Sequence, residues 1–145
     1  MKVILGSDHA GWELKNELLE YLTKQGHEVI DVGNKELDPE DDYPQFAYAA
    51  VTKLLGEEGE RAILVCGSGQ GMAIAANRFH GIRASVVWDE DEARQTREDD
   101  DSNVLCLPAR ILAEDEANDI VEAWLNEPFS HAERHKRRIA ELDEL

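Results

Sequence analysis

The sequence predicts an α/β fold, namely a three-layer α/β/α Rossmann-like sandwich with a five-stranded parallel sheet and a C-terminal helical tail. Short apolar runs alternate with segments of helical periodicity, which is typical of a parallel sheet covered on both faces. The run Ala62–Val65 is wholly apolar, as expected for a strand buried on both faces. The 145 residues suffice for a hydrophobic core, and no repeat or linker divides them, so we expect one domain over residues 1–145.

The first half of the chain is predicted to alternate two strands with two helices. Val3–Leu5 is a short apolar run before a glycine, and apolar residues then recur at helical spacing over Trp12–Leu22. Val29–Val32 is predicted to form the second strand. After a polar loop, Pro44 indicates the start of the second helix, because proline suits the first helical turn.

The second half repeats this order from the buried strand Ala62–Val65. A glycine-rich turn, Gly67–Gly71, follows that strand and leads into a short, tightly packed helix. The remaining predicted elements are the strand Ala84–Val87, the polar helix Glu90–Glu98, the strand Val104–Leu107, the helix Ala113–Leu125 and the charged helical tail His131–Leu145.

The charge of the chain argues against two classes of partner. Its 32 acidic and 15 basic residues give a formal net charge of -17, which disfavours binding to nucleic acid or to an anionic membrane surface. Acidic runs such as Asp38–Asp42 are expected to stay solvated, and a high-salt environment is a second interpretation of this surface. No apolar run approaches the ~20 residues that span a bilayer, and Met1–Leu5 leads directly into a polar turn, so we expect a cytoplasmic protein.

The strongest local signal for chemistry is Cys66 at the end of the third strand, followed by Gly67, Gly69 and Gly71. Glycines let the backbone approach a ligand and present N–H groups in a row, and the following helix adds positive potential. This environment favours a thiolate and would stabilise an adjacent anion such as an enediolate oxygen. Two alternatives remain open for this segment alone, a buried cysteine before a turn that packing requires and a phosphate cradle for a nucleotide. Neither Cys66 nor Cys106 belongs to a CxxC pair, so no metal site is predicted.

Two further groups of polar residues are candidates for binding. Asp8 and His9 follow the first strand, and ligands of parallel sheets bind at the carboxyl ends of the strands. This pair could hold a sugar hydroxyl and an anion, or Asp8 could cap the next helix. Arg134 and Arg138 share one face of the predicted tail helix and suit a phosphate, unless they only offset nearby acids.

Seven short motifs occur in a specific order along nearly the whole chain, namely Gly6–Gly11 (GSDHAG), Asp42–Pro44 (DYP), Cys66–Gly71 (CGSGQG), Ile74–Arg78 (IAANR), Gly81–Ala84 (GIRA), Asn103–Leu105 (NVL) and Arg134–Arg138 (RHKRR). Together they resemble the ribose-5-phosphate isomerase B family, which also includes the subunits of galactose-6-phosphate isomerase and allose-6-phosphate isomerases. The resemblance implies an aldose–ketose isomerase that acts on a small sugar phosphate without a metal or organic cofactor. It also implies a homodimer or tetramer whose active sites are shared between subunits.

The resemblance assigns roles to individual residues. Cys66 would take the proton from C2 of the open-chain sugar and return it at C1, while Ser68 shuttles the hydroxyl proton. The amides of Gly67–Gly71 would hold the enediolate. The other implied contacts are His9, Arg134 and Arg138 on the phosphate, Arg110 reaching in from a neighbouring subunit, and Tyr43 and Asp8 along the sugar.

One segment departs from the family pattern. Where the family carries His-Asn before the fifth strand, this chain has Asp99 and Asp100. In the family the histidine assists opening of the furanose ring, and the asparagine holds sugar or enediolate oxygens. Asp99 could transfer the proton as a carboxyl group kept protonated by the acids beside it, or the substrate could need no ring opening.

The expected reaction is therefore the interconversion of ribose 5-phosphate and ribulose 5-phosphate through an enediolate. A tetrose 4-phosphate fits the second interpretation of Asp99, because it cannot close a five-membered ring through its phosphorylated oxygen. A hexose 6-phosphate isomerase and a non-catalytic subunit that binds sugar phosphates are further alternatives. The presence of both Cys66 and Ser68 argues against the non-catalytic alternative.

Overall fold

The computed structural model describes residues 1–145, and five strands alternate with α-helices along them. The strands are β1 (Lys2–Ser7), β2 (Glu28–Asp31), β3 (Arg61–Cys66), β4 (Ala84–Val86) and β5 (Val104–Pro108). The helices are α1 (Trp12–Lys24), α2 (Tyr43–Leu55), α3 (Gln70–Ala76), α4 (Glu90–Asp100), α5 (Glu114–Asn126) and α6 (Glu133–Asp143). A single 3-10 turn, His9–Gly11, links β1 to α1.

All five strands are parallel and form one sheet in the order β2-β1-β3-β5-β4. The central strand β3 pairs with β1 on one side and with β5 on the other. The chain leaves β1 toward one edge of the sheet and β3 toward the opposite edge. In sheets of this kind, ligands bind in the crevice where the direction reverses, at the carboxyl ends of the strands.

Helices cover both faces of the sheet, which confirms the predicted three layers. One cluster of 17 buried residues joins the sheet to α1, α4 and α5, with the fully buried Leu18 and Trp124 among its members. A second cluster of 14 joins the other face to α2 and α3, with Phe46 and Met72 among its members. Residues of β3 alternate between the two clusters, so this strand is buried on both faces, as its apolar sequence predicts.

The predicted elements are present, and their ends differ by a few residues. β1 extends to Ser7 and β5 to Pro108, because their ladders with β3 continue to the carboxyl edge of the sheet. α4 continues to Asp100, two residues beyond the predicted end, and stops where Asp101 adopts a left-handed conformation with φ of 46°. The charged tail is helical as predicted, and α6 packs against α4. None of the helices is long and apolar enough to cross a membrane.

Candidate active site

The end of β1 brings Asp8 and His9 beside the end of β3. Ser7 pairs with Val65 across the two strands, one residue before Cys66. The 3-10 turn then packs so closely on β3 that a Cβ placed on Gly11 would lie 2.6 Å from the carbonyl oxygen of Val65. The sequence prediction that these polar residues meet at one edge is therefore confirmed for Asp8, His9 and Cys66.

Cys66 is 4% exposed and accepts a hydrogen bond at Sγ from the backbone N–H of Gly69, over 3.1 Å. Gly69 has φ of 75°, a left-handed conformation that glycine adopts without strain and that turns this amide back toward the sulfur. The N–H is thus placed to stabilise negative charge on Sγ during a proton transfer. Cys106 differs, because it is fully buried and burial raises the pKa of its thiol, which keeps it an inert core residue.

Two long side chains lie over the glycine segment that follows Cys66. A Cβ on Gly67 would lie 2.6 Å from Cζ of Arg110, and a Cβ on Gly71 would lie 2.8 Å from Cζ of Tyr43. A larger residue at either position would therefore displace the end of the Arg110 or Tyr43 side chain from the segment. The Ser68 hydroxyl, on an exposed residue between them, accepts a hydrogen bond from the N–H of Gln70 over 3.3 Å.

Arg110 lies beside the glycine segment that follows Cys66. Its guanidinium lies on the glycine segment of its own chain, and its backbone N–H donates to the carbonyl of Gly67 over 3.0 Å. The side chain forms no ion pair within the chain and is exposed. Its position follows from β5, which ends next to Cys66 and turns back at Pro108. A cation without an acidic partner is suited to an anionic ligand.

Asp8 caps the 3-10 turn by accepting from the N–H of Gly11 over 3.1 Å, so the capping alternative is confirmed. Asp8 is buried, with 7% of its surface exposed. His9 is more open, with 41% of its side chain accessible, and its Nδ1 lies 2.8 Å from Oδ1 of Asp41. This side-chain hydrogen bond is the main cause that raises the pKa of His9 above its ordinary 6.5, with help from the charge of Asp8.

Asp41 was missed as a site residue, and the expectation that Asp38–Asp42 stays solvated is wrong at this position. Asp41 is only 8% exposed, because it contacts both the ring and the backbone of His9. Its Oδ2 accepts from the side-chain amide of Asn34 over 3.1 Å. The only sequence signal for it was its place one residue before the Asp42–Pro44 motif.

Asp99 and Asp100 lie at the opposite edge of the sheet. α4 starts after β4 and runs back to the start of β5, so its last residues lie at the amino ends of the strands. Oδ1 of Asp99 is 3.4 Å from Nε2 of the buried His135, whose Nδ1 is 2.7 Å from the Ser130 hydroxyl. The carbonyl of Asp100 accepts from Nε of Arg83.

Arg134 and Arg138 lie near Asp99 and Asp100 at the amino edge of the sheet. Both are exposed residues of α6 without ion pairs, and Arg134 directly precedes His135, the partner of Asp99. β3 is six residues long, so roughly 16 Å of strand separate this edge from Cys66. One chain therefore holds two separate groups of predicted site residues: Asp8, His9, Tyr43, Cys66, Ser68, the glycines and Arg110 at the carboxyl edge, and Asp99, Asp100, Arg134 and Arg138 at the amino edge.

The chain is similar to proteins of known family. A family model described as Ribose/Galactose Isomerase matches residues 3–142. Ribose-5-phosphate isomerase B of Mycobacterium tuberculosis H37Rv is 42% identical over 144 residues, which cover 99% of this chain and 89% of that protein.

Two solved structures share the fold closely. The crystal structure of a ribose 5-phosphate isomerase from Thermotoga maritima has a TM-score of 0.96 at 42% identity, over 99% of this chain and 98% of that one. Ribose-5-phosphate isomerase B from Mycoplasma genitalium, with bound ribulose-5-phosphate, has a TM-score of 0.93 at 35% identity, over 99% and 94%.

Proposed function

This chain belongs to the Ribose/Galactose Isomerase family, and from that membership we propose that it interconverts ribose 5-phosphate and ribulose 5-phosphate. The observation that carries the proposal is the contact between Sγ of Cys66 and the N–H of Gly69, within the glycine-rich loop at the carboxyl edge of the sheet. The relatives named as ribose-5-phosphate isomerases B, and the neighbour that holds ribulose-5-phosphate, support the choice of substrate.

Cys66 is the base that moves the proton in this proposal. Its thiolate takes the proton from C2 of the open-chain aldose, and the electron pair moves through the new C1–C2 double bond onto the aldehyde oxygen. The resulting enediolate is stabilised by the amides of the Gly67–Gly71 segment. Ser68 moves the proton between the two oxygens, and the thiol returns its proton to C1, which gives the ketose without net gain or loss of atoms.

A cationic clamp holds the phosphate away from the reacting carbons. His9 and Arg110 present positive charge from the chain that supplies Cys66. Nε2 of His9 forms no hydrogen bond within the chain, and the Arg110 guanidinium forms no ion pair. Binding energy from the phosphate positions C1 and C2 against the sulfur. Tyr43 lies beside Gly71 and Asp8 follows β1 at the same edge of the sheet, and in this proposal both contact the sugar.

We propose that the site is completed by a second copy of the chain. Arg134 and Arg138 belong to the amino-edge group, and roughly 16 Å of strand β3 separate that edge from Cys66, so they are too far away to hold a small substrate bound at Cys66 of the same chain. In a symmetric dimer, each amino-edge group can face the partner's carboxyl edge. The partner would then supply both arginines together with Asp99 and Asp100, while Arg110 acts within its own chain.

Asp99 is the position that bears on the choice of sugar. It stands where the family carries a histidine, and its Oδ1 lies 3.4 Å from Nε2 of His135, so the imidazole that assists ring opening in the family is replaced by a shorter side chain of different chemistry. A tetrose 4-phosphate, which has no furanose form to open, is therefore the second candidate substrate.

A coupled assay over a panel of aldose phosphates tests these proposals. The panel contains ribose 5-phosphate, erythrose 4-phosphate, and allose and galactose 6-phosphates, and it is run on the unmodified chain and on Asp99→His. We expect ribose 5-phosphate turnover that rises in Asp99→His. Turnover confined to erythrose 4-phosphate would favour the tetrose, and binding without turnover of any sugar would favour a non-catalytic subunit.

A further inference from the structure

Asp41 makes an unusual double contact with His9. One carboxylate oxygen, Oδ1, accepts from the backbone N–H of His9 and lies at the same distance, 2.8 Å, from the ring Nδ1. Because the carboxylate is only an acceptor, Nδ1 must carry the proton in this contact. The contact therefore fixes both the backbone and the ring orientation of His9.

The second ring nitrogen of His9 is left for another partner. Nε2 forms no hydrogen bond within the chain, and the side chain is 41% accessible. Nδ1 donates its proton to the hydrogen bond with Asp41, so in the protonated ring the second proton is on Nε2. This N–H is the group of His9 that can donate to an anion bound at the carboxyl edge.

Asp41 is itself held by a buried support. Its Oδ2 accepts from the side chain of Asn34, and the carbonyl of Asn34 accepts from Nε1 of Trp12 and from Nζ of Lys15. Lys15 is fully buried and pairs with Asp31 over 2.7 Å. The loop between β2 and α2 is thus anchored to α1, so the Asp41 carboxylate is presented to His9 in a fixed position.

We propose that Asp41 is a positioning residue for the isomerase reaction, which fixes the His9 ring so that its Nε2–H faces the substrate phosphate. This inference rests on the proposed function, and it adds a residue that the family motifs do not include. Asp41 would not touch the substrate. Its effect would reach the substrate only through His9.

Two acidic residues act on the charge of the His9 ring. Asp41, on the loop before α2, and Asp8, at the end of β1, are the acids that raise the pKa of His9. Asp8 also caps the 3-10 turn, whereas Asp41 contacts the ring directly. Replacing Asp41 by asparagine removes one charge at nearly constant shape, so it tests the direct contact. Glu40→Gln removes one charge from the neighbouring exposed residue and is the matched control.

The experiment combines a binding measurement with kinetics on the full-length chain. Imidazole NMR signals of His9, assigned by their loss in His9→Ala, are titrated with pH and with inorganic phosphate. The Km and kcat for ribose 5-phosphate are then measured for Asp41→Asn and Glu40→Gln. Both Asp41→Asn and Glu40→Gln are also made in the His9→Ala background, which separates an effect through His9 from an effect on the loop.

We expect Asp41→Asn to lower the pKa of His9, to weaken phosphate binding and to raise Km about tenfold with a much smaller change in kcat. Glu40→Gln should leave all of these near their original values. In the His9→Ala background, Asp41→Asn should add almost nothing. An unchanged His9 pKa, or an equal loss with and without the His9 ring, would overturn the proposal. The NMR arm needs no turnover, so it still tests Asp41 if no sugar phosphate is isomerised and the proposed function fails.

Discussion

Gly11 lies against the carbonyl of Val65 so closely that no side chain fits between the 3-10 turn and β3. A Cβ on Gly11 would lie 2.6 Å from that oxygen and 2.8 Å from Cγ1 of the same valine. The φ of Gly11 is −101°, so space rather than backbone strain excludes other residues. This contact sets how near Asp8 and His9 come to Cys66.

Gly11→Ala should therefore destabilise the protein. The added methyl group meets backbone that cannot move without disturbing the central strand, and overpacking of this kind costs about 1–3 kcal/mol. Chemical denaturation followed by circular dichroism measures the loss in the free energy of unfolding. Glu13→Ala, at an exposed position in the first turn of α1, is the control and should change it little. Equal stability of Gly11→Ala and the unmodified chain would show that the turn can move away from β3.

His9 should contribute a stabilisation that depends on pH. Its pKa is raised in the folded state above the ordinary 6.5, so the contribution is fully present below about pH 6.5 and is lost as pH rises through the folded value. The difference in Tm between the unmodified chain and His9→Gln should be largest below about pH 6.5 and should shrink as the pH rises above it. The effect should be small and weaker in salt, because the ring is partly exposed. A difference that grows with pH would contradict the assignment.

Mixing two inactive variants should restore activity if sites are shared between chains. In the proposed mechanism, Cys66→Ala removes the base at the carboxyl edge, and Arg134→Ala combined with Arg138→Ala removes the two arginines that the amino edge supplies to the partner's site. After joint refolding, half of the dimers are mixed and each has one intact site, so about a quarter of the original activity should return. Each variant refolded alone is the control. No recovery in the mixture would mean that both edges of one chain serve the same site.

The fold was predictable because its signals are local. Apolar runs, glycine breaks and a proline at a helix start lie within a few residues of the elements they define, and all five strands were found from them. The strand order β2-β1-β3-β5-β4 could not be read in this way, because it depends on pairing between distant segments. The ends of β1 and β5 were missed for the same reason, since the ladder with β3 decides where they stop.

The site was predictable in part, and the difference is geometric. The proximity of Asp8, His9 and Cys66 was predictable, because the carboxyl ends of parallel strands lie at the same edge of a sheet. Asp99 lies at the other edge because α4 runs back from the end of β4 to the start of β5. The predicted order of elements already implies that position, whereas the resemblance groups Asp99 with Cys66 in one site. Asp41 looked like one more solvated acid, because its burial depends on the distant support of Asn34 by α1.

The central claim is that Cys66 transfers the proton, and the most direct test follows the reaction by NMR in deuterated water. The unmodified chain should convert ribose 5-phosphate to ribulose 5-phosphate and introduce deuterium at C1 of the product. Cys66→Ala should lose turnover by a factor of about a thousand or more, while it keeps its fold and still binds the sugar phosphate. Cys106→Ala, which alters the buried cysteine, should remain active. Undiminished isomerisation by a folded Cys66→Ala would contradict the account.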